Sequence, residues 1–174
     1  MPWRRRSTPP KLRSRPPTMI SDGHLHHVGY VVASIDGSVE GFARSLNVRW
    51  DGKVYMDPFQ AAAVTFLYPG APGNPAIELV EPIGEQSPTL RFLKKGGGLH
   101  HVCYEVSGLA ARLASWTNPD ARIIRPACPA VAFDSRPIAW AYTRYGLLVE
   151  LLEAEGQPSR AGVSLAPAQS KGAE

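Results

Sequence analysis

The sequence predicts an α+β fold: two tandem β-α-β-β-β modules that curl one mixed sheet around a cleft. Three observations lead there. The stretch "HHVGYVVASI" at 26–35 is answered by "HHVCYEVSGL" at 100–109, 74 residues later. "AIELVEP" at 76–82 is answered by "LVELLEA" at 148–154, each carrying Glu-Leu-aliphatic-Glu. The separations agree as well, 51 residues from His27 to Glu78 and 49 from His101 to Glu150. Repetition of this kind marks two copies of one supersecondary unit.

In the first module, the alternation in "HHVGYVV" reads as a strand. "SVEGFARSLNV" places Val39, Phe42 and Leu46 at helical spacing behind Ser38 as N-cap. "RWDGKVY", "AAAVTFLYP" and "AIELVEP" read as three further strands, divided by Asp, Pro and Gly. The second module repeats the order: strand "LHHVCYEV", short helix "SGLAARLASWT", then strands "ARIIRP", "IAWAYTRY" and "LLVELLEA". Gly146 makes the tight turn between the last two. The modules span about 24–83 and 97–155 within a domain at 24–156.

The ends have a different character. Of 19 basic residues, six lie in the first 18 positions with no acid among them, leaving 13 against 15 acidic residues in the remainder. The net charge of +4 therefore belongs to a tail, and the near-neutral body gives no reason to expect a nucleic-acid partner. Residues 1–23, rich in Pro and Arg, read as a disordered solvated extension, with Met19 a candidate alternative start; the prolines disfavour an amphipathic targeting helix. Residues 157–174 read as a second disordered tail. No run approaches the roughly 18 apolar residues of a membrane span. The only two cysteines, Cys103 and Cys128, form no disulfide framework or shared metal motif, as expected of a cytoplasmic protein.

Alternate residues of a strand share a face, so His27, Glu78, His101 and Glu150 can converge from four strands. Imidazole and carboxylate together suit a divalent first-row metal: Co, Mn, Ni, Fe or Zn. Four protein ligands leave two open positions on a six-coordinate ion, where a carbonyl could sit while an α-proton leaves. His26 and His100 receive no metal role, and Glu81 and Glu153 fall off the ligand face and are expected in solvent. Glu105 shares the His101 face and is, with Glu150, a candidate catalytic carboxylate. Trp140, Tyr142 and Arg144 alternate onto one face, as either a substrate wall or outer packing.

These motifs resemble the vicinal-oxygen-chelate superfamily, which includes glyoxalase I, extradiol dioxygenases, antibiotic-resistance proteins and methylmalonyl-CoA epimerases. "HHVGYVV", "AIELVEP", "SPTLRFLKKGGGLHHVCYEV" and "LLVELLE" are most similar to the epimerase branch, over about residues 24–154. The resemblance implies one divalent metal on His27, Glu78, His101 and Glu150. It also implies an enolate-stabilising isomerase, epimerase or lyase acting on a small molecule such as an acyl-CoA, and it is compatible with a homodimer. It implies a further acid/base glutamate at about Phe59 or Gln60, where this chain has none; Asp57 is the nearest carboxylate. A non-catalytic binding or sequestering protein is the alternative. An Fe(II) ring-cleaving dioxygenase using His27, His101 and Glu150 is disfavoured, because Glu78 would fill a position that dioxygen or catechol needs.

Overall fold

Alternating burial along His24–Val31 makes the first strand, β1. Ser34 then caps the helix α1 (Ile35–Leu46), its hydroxyl accepting the Gly37 N–H at 3.2 Å. The helix thus begins before Ser38, the predicted cap, and it ends at Asn47, whose φ of 53° is one that Asn tolerates well. The expected strand "RWDGKVY" is two short ones, β2 (Arg49–Trp50) and β3 (Tyr55–Asp57). Between them Asp51 Oδ1 accepts the Lys53 N–H at 3.0 Å, closing a turn over Gly52. β4 (Ala62–Tyr68) and β5 (Ala76–Pro82) complete the module.

A one-turn helix, α2 (Leu90–Leu93), lies in the connection and leads into β6 (Gly98–Val106). The second module continues with α3 (Leu109–Ala114), β7 (Ala121–Pro129), a 3-10 turn at Val131–Phe133, β8 (Pro137–Thr143) and β9 (Leu148–Glu153). The computed structural model describes residues 19–156, so the expectations for residues 1–18 and 157–174 lie outside the described residues.

Among the described residues, all nine strands form one open sheet in the order β2-β4-β5-β1-β6-β9-β8-β7, with β3 beside β4. β1 runs parallel to β5 and β6 parallel to β9, while β1 and β6 meet antiparallel at the seam between modules. The repeat is therefore a repeat of topology. Helices α1 and α3 each pack on the outer face of their own module. Ile35 and Val39 of α1 join Leu67 and Leu79; Leu109 of α3 joins Val149 and Leu151. The four leucines are fully buried, each contributing about 1.5–3 kcal/mol by leaving water. A third cluster, including Val64, Phe66, Cys103, Phe133 and Leu152, underlies the inner face.

Two expectations are corrected here. Residues 19–23, assigned to the tail, are held against the second module: Met19 and Ile20 pack on the α3 cluster, and Arg112 Nη2 donates to both Asp22 oxygens at 2.7 and 2.9 Å. Glu81 and Glu153, expected in solvent, cap the helices. Glu81 Oε2 accepts the Ile35 N–H at 2.8 Å; Glu153 accepts those of Gly108 and Leu109 at 2.8 and 2.7 Å. In each Glu-x-x-Glu motif the first carboxylate faces the inner side of the sheet and the second serves a helix on the outer side.

Candidate metal centre

The pairing registers of the four central strands build the site. Across the seam, His27 stands opposite Cys103 and His101 opposite Gly29. β5 adds Glu78 beside Gly29, and β9 adds Glu150 beside Cys103. Two rows result, Glu78–Gly29–His101 and His27–Cys103–Glu150, related by the pseudo-twofold of the modules. Gly29 is required in the first row, because a Cβ there would lie 2.0 Å from His101 Cε1.

His27 Nε2 lies 3.2 Å from His101 Nε2 and 3.1 and 3.5 Å from the Oε2 atoms of Glu150 and Glu78. His101 Nε2 is 3.2 and 3.5 Å from those of Glu78 and Glu150. All four side chains are buried, His27 completely. Donors bound to one ion at about 2.0–2.2 Å stand roughly 3.0–3.5 Å from one another, which matches this spacing. Glu150 Oε2 is buried without a hydrogen-bond partner, although it lies within 3.1 Å of a ring nitrogen. Two imidazole nitrogens facing each other and a carboxylate oxygen with an unused lone pair are what a cation would satisfy, so the residues present fit a divalent ion.

The cluster is electrostatically self-consistent. Burial raises the Glu78 and Glu150 carboxyls, but His27 and His101 outweigh it and hold both below the usual carboxylate range. Burial opposes charge on His27 and His101 too. The neighbouring carboxylates Glu78 and Glu150 outweigh it and push both imidazoles up. Burial, together with Glu150, keeps the Cys103 thiol protonated. Beside the pair sit His26 and His100, the latter also lining the cleft, and their pKa falls to about 4 through burial and the adjacent His27 or His101 charge.

Glu78, His101 and Glu150 form part of the floor of a cleft of about 340 Å³, with His27 buried beneath them, and Val64, Val80, Phe133, Ile138 and Trp140 wall it. Trp140 meets the His101 ring edge-on at 4.8 Å. The other two members of the expected wall lie elsewhere. Tyr142 is 40% exposed near the β8–β9 turn, and Arg144 pairs with Asp120 at 2.8 Å and with the Tyr145 hydroxyl at 2.7 Å.

Nor does Glu105 reach the cleft. Its carboxylate binds Arg136 at 3.0 Å, His24 at 3.3 Å and the Glu155 N–H at 3.0 Å. Asp57 borders the cleft with both oxygens engaged, taking the N–H groups of Phe59 and Gln60 at 2.8 and 3.0 Å and that of Val131 at 3.3 Å. Gln60 also lines the cleft, its carbonyl accepting from Arg125 Nη1 at 2.8 Å and its amide donating to Cys128 Sγ at 3.4 Å. Sequence reasoning missed Arg125 and Phe133, which sit on segments without a repeat to flag them.

The family model described as the Glyoxalase/Bleomycin resistance protein/Dioxygenase superfamily matches residues 26–140. The chain belongs to that superfamily. Among its curated relatives, the ethylmalonyl-CoA/methylmalonyl-CoA epimerase of Cereibacter sphaeroides is 30% identical over 133 residues, covering 74% of this chain and 96% of the relative. The mitochondrial methylmalonyl-CoA epimerase of Dictyostelium discoideum is 30% identical over 140 residues, covering 77% and 80%. The crystal structure of methylmalonyl-CoA epimerase from Mycobacterium tuberculosis superposes with a TM-score of 0.64 at 27% identity, covering 80% of this chain and 93% of that one. Among the described residues of this superfamily member, no helix is long and apolar enough to cross a membrane.

Proposed function

We propose that this chain is a metal-dependent isomerase that epimerises an acyl-CoA thioester, with His27, Glu78, His101 and Glu150 holding one divalent ion. The observation that carries this reading is the convergence of four buried donors at the base of a small apolar cleft, in a chain whose relatives are named epimerases. A bound ion would supply the positive charge that stabilises an enolate and eases loss of an α-proton. All four donors come from one chain, so the site needs no second subunit.

The rest falls to the protein's own groups. Val64, Val80, Ile138 and Trp140 keep water from the reacting carbon. A volume of about 340 Å³ accommodates an acyl group and its thioester, leaving the nucleotide of coenzyme A outside. Arg125 offers a guanidinium for an anionic part of the ligand. Of the two candidate catalytic carboxylates, Glu150 faces the cleft and Glu105 is committed to Arg136.

One observation favours a second reading. Exchange of a proton between two faces of an enolate calls for an acid/base group on each face. On the wall away from the donors stand the Gln60 amide, which exchanges no proton usefully, and Asp57, whose oxygens are engaged. A one-sided enolising enzyme, including a lyase, or a binding protein would suit that wall. Incubating metal-loaded protein with methylmalonyl-CoA in deuterium oxide separates these readings. Deuterium uptake with inversion is the result expected of the epimerase. Uptake with retention points to one-sided chemistry, and binding without uptake to sequestration.

A further inference from the structure

The duplicated His-His pair contains two histidines that the four-donor centre does not use. We propose that His26 and His100 are positioning residues, each fixing the tautomer and ring plane of the neighbouring metal-ligand imidazole; this rests on the metal reading above. Adjacent residues of a regular strand point to opposite faces, so neither side chain should reach its neighbour's ring. Both do. His26 Nδ1 lies 2.9 Å from His27 Nδ1, and His100 Nδ1 lies 3.0 Å from His101 Nδ1.

The backbone explains how. The β1–β6 pairing slips between Leu25 and His27 and again between Gly29 and Tyr30, where the partners step from His101 to Leu99. The residue skipped is His26 in one strand and His100 in the other. Each is the extra residue of a β-bulge, a device that re-aims a side chain next to a site. The bulge is made twice, although the surroundings differ: His26 packs edge-on against Phe133 at 5.3 Å, His100 against Phe92 at 4.9 Å. One geometry reached from two packings points to the nitrogen contact itself.

The chemistry assigns the protons. An imidazole that turns its Nε2 lone pair to a cation carries its hydrogen on Nδ1 and needs an acceptor there. His27 and His101 direct Nε2 into the cluster, so their Nδ1–H groups donate. His26 and His100 then accept at Nδ1 and carry their own hydrogen on Nε2. The ring pairs stand nearly perpendicular, at 81° and 89°, so each acceptor also fixes the plane of its ligand ring.

The test combines two measurements. In zinc-loaded wild-type protein, long-range ¹H–¹⁵N correlation spectra should place the hydrogens of His27 and His101 on Nδ1 and those of His26 and His100 on Nε2. Spectra with His26 and His100 protonated at Nδ1 would overturn the inference without any variant. In parallel, His26→Phe and His100→Phe keep the ring but remove the acceptor, whereas His26→Gln and His100→Gln restore a carbonyl acceptor. Each Phe variant should bind Co(II) about 10–100-fold more weakly in chelator competition and shift its visible absorption bands, with Gln recovering most of the loss. Phe variants that match wild type in affinity and spectrum refute the positioning role alone. Wild-type protein that takes up neither Co(II) nor Zn(II) overturns the metal reading and this inference together.

Discussion

Gly29 stands opposite His101 across the seam, and the imidazole occupies the space a side chain at Gly29 would need. The first-half glycine and the second-half Cys103 hold equivalent places in the repeat, and at the glycine the His101 imidazole lies 2.0 Å from where a Cβ would stand. Gly29→Ala should displace His101, lowering Co(II) affinity about 10-fold or more while Cys103→Ala has a smaller effect; competition titration of the two variants checks this.

Removal of a carboxylate donor is a sharper change. Glu150→Gln keeps the shape and removes the charge, so metal affinity should fall by roughly two orders of magnitude or more, at or beyond the upper end of the range usual for outer partners. Metal content after dialysis measures it, and an unchanged content would remove Glu150 from the ligand set.

The titrating groups predict opposite pH profiles for stripped and loaded protein. His27 and His101 have folded pKa values raised above 6.5, so their contribution is complete below 6.5 and fades as pH rises through the folded values. His26 and His100, lowered from 6.5 to about 4, bind protons more weakly when folded and so reduce stability as pH falls from 6.5 toward 4. The carboxylates Glu78 and Glu150, lowered from 4.5, lose their contribution only as pH drops below that value. Stripped protein should therefore melt highest near pH 6.5. Metal binding requires neutral ligand imidazoles, so the stabilisation by added Zn(II) should grow between about pH 6 and 8. Calorimetry across that range tests both arms.

The helix-capping carboxylates should separate stability from metal binding. Glu153→Gln weakens two charge-assisted bonds at the start of α3 and should cost about 1–2 kcal/mol of folding free energy. Denaturant melts should show the loss in stripped protein, with Co(II) affinity of the folded protein within about threefold of wild type.

Parity was the legible part of this chain. A period of two and two nearly equal separations were enough to group His27, Glu78, His101 and Glu150, because facing direction is a local property of a strand. Parity carries no distance along the strand. Glu105 shares the His101 face but sits four residues on, about 13 Å away, at the strand end that Arg136 and His24 occupy. Tyr142 likewise follows Trp140 on the same face and falls outside the cleft. The bulges at His26 and His100 were hidden for another reason: a register slip belongs to two paired strands and leaves no mark in either alone. The roles of Glu81 and Glu153 depend on where a helix start folds back beside its strand, which only the tertiary structure reveals.

Because β1 and β6 join the two halves edge to edge, each half supplies one imidazole and one carboxylate to the cluster. A cation gripped there would act as a rivet through the join, so opening the halves and losing the ion become one event. A half-length chain would hold only two donors, and two such chains would have to meet across the same edge to complete the set.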